Sequence, residues 1–192
     1  LSRGGKAGLL KSGPGLIWSG FRPSDDACTY GYLIPSNMFA VVALGYLEEI
    51  ERAIFGDEEM AAAAKALKEE VHSAIEQEGR TATDEFGLVY AYEADGYGMY
   101  NLMDDANVPS LLAMDYLGYP ADPDIAENTR KLILSSANPF YYEGEKASGI
   151  GSPHTPSSYI WHIAMAMQGL TSKTEEEKFR ILKNMAGTTG GK

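Results

Sequence analysis

SNMFAVVALGYLEEIERAIFGDEEMAAAAKALKEEVHSAI, residues 36–75, decides the architecture. Phe39, Ala43, Tyr46, Ile50 and Ala53 recur at the spacing of one helical face, with Glu48, Glu49 and Arg52 on the other side. Ser36 offers an N-cap and Gly56 a stop, so one helix is expected from Ser36 to about Phe55. Asp57 then opens a second, whose apolar stripe is Met60, Ala64, Leu67, Val71 and Ile75. Helix, glycine break, helix is an αα-hairpin, and it sets the expectation of an all-α fold.

The same grammar continues outward. Residues 1–35 are punctuated by Gly4, Gly5, Gly8, Gly13, Pro14, Gly15, Gly20 and Pro23 and read as loop. Leu88–Tyr92 and Tyr97–Leu102 flank Asp95-Gly96, the pattern of a short hairpin or extended loop. Asn107 and Pro109 suit a helix start, with that helix running to Leu117 before Gly118. Asp122-Pro123 begins another, carrying Ile125, Thr129, Leu132 and Ile133. A loop from Asn138 to Pro156 precedes the last two helices, Tyr159–Leu170 and Glu175–Ala186, with Ser172 and Glu175 as a capping box. Helix pairs separated by long loops rich in Gly, Tyr, Asp and Asn direct attention to the loops.

Composition narrows the functions. The 192 residues are 44% hydrophobic and 22% charged, which is globular rather than disordered. A formal net charge of -11 argues against nucleic acid and against anionic membrane surfaces. No apolar run reaches the ~20 residues a membrane span requires. Cys28 is the single cysteine, so no internal disulfide or thiolate zinc site can form, and the compartment leans towards a reducing one such as the cytoplasm. Of the three histidines, His72 and His162 sit in helical stretches and His154 in a loop; no spacing supports a metal site, and no cofactor motif is present. Ala186-Gly-Thr-Thr-Gly-Gly-Lys192 mimics a P-loop but lacks the preceding strand, the following helix and the final Ser or Thr.

Three constellations carry chemistry. Arg22-Pro-Ser-Asp-Asp26 puts two carboxylates beside an arginine, where a neighbouring charge and burial can tune a general acid; the plain alternative is a turn. Asp104, Asp105 and Asn107 can hydrogen-bond sugar hydroxyls, although a helix cap explains Asn107 equally well. A calcium loop is not supported, because the D-x-D-x-D-G pattern and its distal Glu are missing. Trp18, Phe21, Tyr30, Tyr32, Tyr90, Tyr92, Tyr97, Tyr100, Tyr141, Tyr142 and Trp161 offer faces for sugar stacking, about half of them better explained as core.

These residues also form longer motifs: Gly20-Phe-Arg-Pro-Ser-Asp-Asp26 with Leu33-Ile-Pro-Ser-Asn37, Tyr92-Glu-Ala-Asp-Gly96, Leu102-Met-Asp-Asp-Ala-Asn-Val-Pro-Ser110, Tyr116-Leu-Gly-Tyr119, Gly151-Ser-Pro-His154 and Met167-Gln-Gly-Leu-Thr-Ser172. Together they resemble glycoside hydrolase family 125. The resemblance implies an (α/α)6 barrel, of which residues 1–192 would form a single partial catalytic domain without the N-terminal half. It implies an exo-α-1,6-mannosidase, inverting and metal-independent, acting on mannose-containing oligosaccharides or N-glycans. The general acid falls on Asp25 or Asp26, with Asp25 preferred and Asp26 orienting it. Arg22, Asp104, Asp105, Asn107 and His154 become sugar contacts. The family's base, a Glu after the glycine-rich loop, would lie beyond Lys192, leaving the fragment alone inactive. Asp115 and His162 stand where prolines are usual, and Lys192 where a Thr is usual. A non-catalytic sugar-binding relative and a helical-barrel glycosidase of other linkage specificity are the competing expectations.

Overall fold

The computed structural model describes residues 9–189. Residues 1–8 of the expected N-terminal loop and 190–192 of the glycine-rich loop lie outside them. In chain order the elements are β1 (Tyr32–Leu33), α1 (Ile34–Ile50), a π-helical turn (Glu51–Phe55) and α2 (Glu58–Glu78). The strands β2 (Arg80–Thr83), β3 (Gly87–Tyr90), β4 (Glu93–Ala94) and β5 (Tyr100–Asn101) follow. The short α3 (Met114–Leu117) and α4 (Pro123–Ile133) precede β6 (Tyr141–Glu143) and β7 (Ser148–Ile150). The described chain closes with α5 (His162–Leu170) and α6 (Glu175–Thr189). Helices dominate, as expected, and the short strands between them pair antiparallel as β1-β4-β5, β2-β3 and β6-β7, more pairings than the one short hairpin expected.

The αα-hairpin forms, with two local corrections. Helix α1 begins two residues before Ser36, with Leu33 as N-cap and Pro35 in the first turn, where a missing N–H costs nothing. Its buried face is Ile34, Asn37, Met38 and Val41, whereas Phe39, Ala43, Tyr46, Ile50 and Ala53 are exposed. The helix carries two apolar faces, and periodicity identified the one that no described residue covers. Helix α2 starts as expected: the Asp57 carboxylate accepts from Met60 N at 2.9 Å, and Ala64, Val71 and Ile75 are buried.

Helix α4 also follows the pattern. Asp122 caps Asp124 N and Ile125 N, and Ile125, Thr129, Leu132 and Ile133 all face inward. Thr129 ties α4 to β3 by accepting from Tyr90 N at 2.9 Å. Glu76 of α2 accepts hydrogen bonds from the hydroxyls of Tyr90 and Tyr119, each at 2.9 Å, locking three elements around one core. Leu33, Ile34, Met38, Ile75, Tyr92, Met103, Leu111 and Ile133 fill that core.

Elsewhere side chains move boundaries. The helix expected from Asn107 is confined to Met114–Leu117, because the amides of Leu111 and Leu112 bond instead to the Asp104 carboxylate, each at 2.9 Å. Before α5, Trp161 is extended and its N bonds to Ile150 O, so the helix starts at His162. The cap of α6 is Thr174 rather than Ser172: its carbonyl accepts from Lys178 N and its hydroxyl from Glu177 N. The turn around Asp95-Gly96 is a hairpin whose strands are β4 and β5, shorter than the flanking runs. Among the described residues, no helix is long and apolar enough to cross a membrane.

Candidate active site at the 20–28 hairpin

The loop before α1 is tied to the core by Asn37. Its side-chain amide accepts from Ile17 N at 2.7 Å and donates to Ile17 O at 3.0 Å, copying a strand partner. Trp18 packs against Gly31 so closely that a Cβ there would come within 2.6 Å of the indole nitrogen. The chain then folds back on itself: Cys28 N bonds to Gly20 O at 3.1 Å, Arg22 N to Asp26 O at 2.8 Å and Asp25 N to Arg22 O at 3.0 Å. Phe21 and Ala27 form the bridge between the legs. This is a three-residue hairpin loop, Pro23-Ser24-Asp25, whose last position is left-handed; Asp25 has φ 68°. Asp tolerates that conformation better than most side chains.

The two carboxylates of the hairpin differ. Asp25 is exposed at the tip and accepts no hydrogen bond from the described residues. Asp26 turns inward: its buried Oδ2 lies 3.5 Å from Nδ1 of His154 and has no hydrogen-bond partner. His154 comes from the loop after β7, which is joined to the 104–107 turn by a bond from Ala106 N to Gly151 O at 3.0 Å.

A second tie runs through Ser24, whose Oγ donates to Asp105 Oδ2 at 2.8 Å within the buried interior. Asp105 Oδ1 receives the longer bonds from Asn107 N at 3.3 Å and Asn107 Nδ2 at 3.2 Å. Tyr92 lies beneath, its hydroxyl buried without a partner; burial, and then the charges of Asp105 and Asp104, push its pKa well above the usual phenol range.

Arg22 is buried and donates from Nε to Glu93 Oε1 at 2.7 Å, with its guanidinium carbon 5.7 Å from the Tyr92 ring centroid. Burial works against its charge, but the hydrogen bond and charge of Glu93 outweigh it and raise its pKa. Beside this pair, burial and the Glu93 charge push the Cys28 thiol up to about 12, so it stays protonated and inert.

Thus Arg22, Asp26, Asp105, Asn107 and His154 are linked around one hairpin that carries Asp25 on its tip. Asp104 is set apart. It has no exposed surface and spends both oxygens on the Leu111 and Leu112 amides, and burial pushes its pKa up to about 7. This geometry makes it a support of the turn. Ser24 and Glu93 were missed as members of the site. Both stand inside the quoted motifs, and Glu93 had its own signal: a lone charge in the apolar run Leu88-Val-Tyr-Ala-Tyr-Glu-Ala94 must be buried and paired. Among the described residues, no group of three or more His, Cys, Asp or Glu side chains could hold a metal ion.

The hairpin is thus tied to β4 through Arg22 and to the 104–107 turn through Ser24, and it carries two carboxylates beside an arginine, one of them facing His154. The sequence matches the family profile of metal-independent alpha-mannosidases over residues 1–192, and the chain belongs to that family, glycoside hydrolase family 125. It is 42% identical over 193 residues to the meiotically up-regulated gene 157 protein of Schizosaccharomyces pombe, covering 100% of this chain and 38% of that protein. Among solved structures it is similar to a metal-independent alpha-mannosidase of Streptococcus pneumoniae in a non-productive substrate complex with alpha-1,6-mannobiose. The identity there is 49%, the TM-score 0.89, and the match covers 93% of this chain and 42% of that one. The chain therefore spans about two fifths of the length of these relatives.

Proposed function

We propose that this chain supplies the acid half of an exo-α-1,6-mannosidase site, within a catalytic domain built as an (α/α)6 barrel. Family membership supports α-mannosidase chemistry, and the mannobiose complex of the S. pneumoniae relative supports the α-1,6 linkage. An inverting glycosidase needs one carboxylic acid to protonate the leaving oxygen and one carboxylate to activate water. Asp25 is the proposed donor. The observation that carries this is its carboxylate, exposed at the tip of a hairpin whose Arg22 and Ser24 side chains are tied to Glu93 and Asp105. Asp26, held towards His154, orients the tip. Arg22, Asp105, Asn107 and His154 are proposed to border the sugar, and the base is assigned to chain beyond Lys192.

The test uses the full-length gene product carrying this sequence. Mannose release from α-1,6-mannobiose is compared with the α-1,2 and α-1,3 isomers, with and without EDTA, for wild type, Asp25→Asn and Asp26→Asn. The expected result is EDTA-resistant, α-1,6-selective release that falls at least ~10²-fold in Asp25→Asn, as loss of a general acid predicts. Release from none of the isomers, with mannoside binding intact, would replace this reading with that of a non-catalytic sugar-binding protein. A larger loss in Asp26→Asn than in Asp25→Asn would move the donor one residue along the hairpin.

A further inference from the structure

Glu93 is a fully buried carboxylate that contacts the acid hairpin from outside it through Arg22. It sits on β4, the central strand of the β1-β4-β5 sheet, paired with Leu33 on one side and Asn101 on the other. Its Oε1 accepts from Arg22 Nε at 2.7 Å. Its Oε2 accepts from Thr29 N at 3.0 Å, Tyr30 N at 3.2 Å and Asn101 Nδ2 at 3.1 Å. Four donors therefore hold this carboxylate, three on Oε2 and the Arg22 guanidinium on Oε1. Fully buried and ion-paired with Arg22, it has no surface on which to meet water or a leaving group.

What Glu93 grips is informative. Arg22 is the last residue of the entering leg before the Pro23-Ser24-Asp25 tip, and Thr29-Tyr30 follow the returning leg directly. One side chain on a rigid strand therefore holds both legs of the hairpin. The legs exchange only a few backbone bonds of their own, and an isolated hairpin of that size is marginal. On the reading of this site as an α-mannosidase's acid, we infer that Glu93 is a positioning residue. It sets where the hairpin's carboxylate stands relative to the glycosidic oxygen, and it acts through Arg22 and the 29–30 backbone rather than by touching substrate.

The chemistry offers a test that a merely structural role would not pass. Departure of a sugar alkoxide needs the acid; departure of 2,4-dinitrophenolate does not, because that anion leaves without a proton. Glu93→Gln keeps the size but turns an N–H towards the donors of Arg22, Thr29, Tyr30 or Asn101. A displacement of about 1 Å at a catalytic group can cost about 10²-fold. In the full-length gene product, Glu93→Gln is therefore expected to lower kcat on α-1,6-mannobiose by about 10²-fold with KM changed less than about threefold. On 2,4-dinitrophenyl α-mannoside its kcat should fall by less than about fivefold. Asn101→Ala, which removes one donor and leaves the ion pair, should show the same preference for the activated substrate at about three- to tenfold, and it serves if Glu93→Gln does not fold. Equal losses on the two substrates in a folded variant, or no loss on either, would overturn the positioning role. Wild-type protein inactive on both would overturn the mannosidase reading itself.

Discussion

Ser24→Ala tests whether the hairpin is held to the 104–107 turn as the structure describes. Ser24 Oγ donates to Asp105 Oδ2 at 2.8 Å, and both residues are almost wholly buried. The other bonds to Asp105 come from Asn107 at 3.2 and 3.3 Å and share a single oxygen, so Ser24 supplies the shortest contact to this carboxylate. A hydrogen bond to a charged group contributes about 1.5–3 kcal/mol, and the substitution leaves the buried Oδ2 without its donor. We expect Ser24→Ala to lower the unfolding free energy by about that amount. Urea unfolding of wild type, Ser24→Ala, Asp105→Asn and the double variant, in the full-length gene product, isolates the contact. The two residues touch, so the cycle should return a coupling of at least about 1 kcal/mol. Single effects that add to within about 0.3 kcal/mol would refute the tie, and with it the account of how sequence-distant loops assemble this site.

Three further outcomes are expected. Burial raises Asp104 to about 7 in the folded chain, against about 3.9 when unfolded, so its contribution to stability is fully present below pH ~4 and is lost as pH rises through ~7. Asp104→Asn should flatten that part of the stability–pH curve while weakening one amide contact by about 1–3 kcal/mol; an unchanged slope in urea melts at pH 4, 5.5 and 7 would contradict the assignment. Gly151→Ala places a Cβ 2.2 Å from Tyr159 O and 2.7 Å from the Tyr142 ring, so the loop carrying His154 must shift; lowered stability by more than about 1 kcal/mol and a changed near-ultraviolet spectrum are expected, and a silent substitution would contradict the packing. Phe39, Tyr46 and Ile50 leave an apolar face of α1 uncovered, so residues 1–192 expressed alone should self-associate; sedimentation showing a monomer at all concentrations would count against this.

How far the sequence could be read depended on the range of the interaction that decided each feature. Helices α2 and α4 were readable because their caps, Asp57 and Asp122, and most of their buried stripes are set within a few residues of chain, although Met60 and Leu67 of the α2 stripe are exposed. The inward face of α1 was not, because a helix apolar on two sides gives a periodic signal for both, and only its partners choose between them. The helix expected at Asn107 failed for a related reason. The local signals for a start were present, but Asp104 seven and eight residues away claimed the amides of Leu111 and Leu112. The site shows the same division more sharply. Asp25 and Asp26 could be nominated from adjacency alone, since a pair of acids beside an arginine is a local pattern. Their separation into an exposed tip and an inward partner of His154 depends on contacts between residues far apart in the chain, Arg22 to Glu93, Ser24 to Asp105 and Asp26 to His154. Sequence marks which residues are acidic; it does not mark which of them are buried and already bound. Asp104 and Glu93 are carboxylates in motifs as chemically suggestive as Asp25, yet the donors that occupy them, two amides in one case and four in the other, turn both from reagents into supports. Whether an acid can reach substrate, more than its type or its neighbours in the chain, separates a group that can move a proton in the reaction from one that holds the group that does.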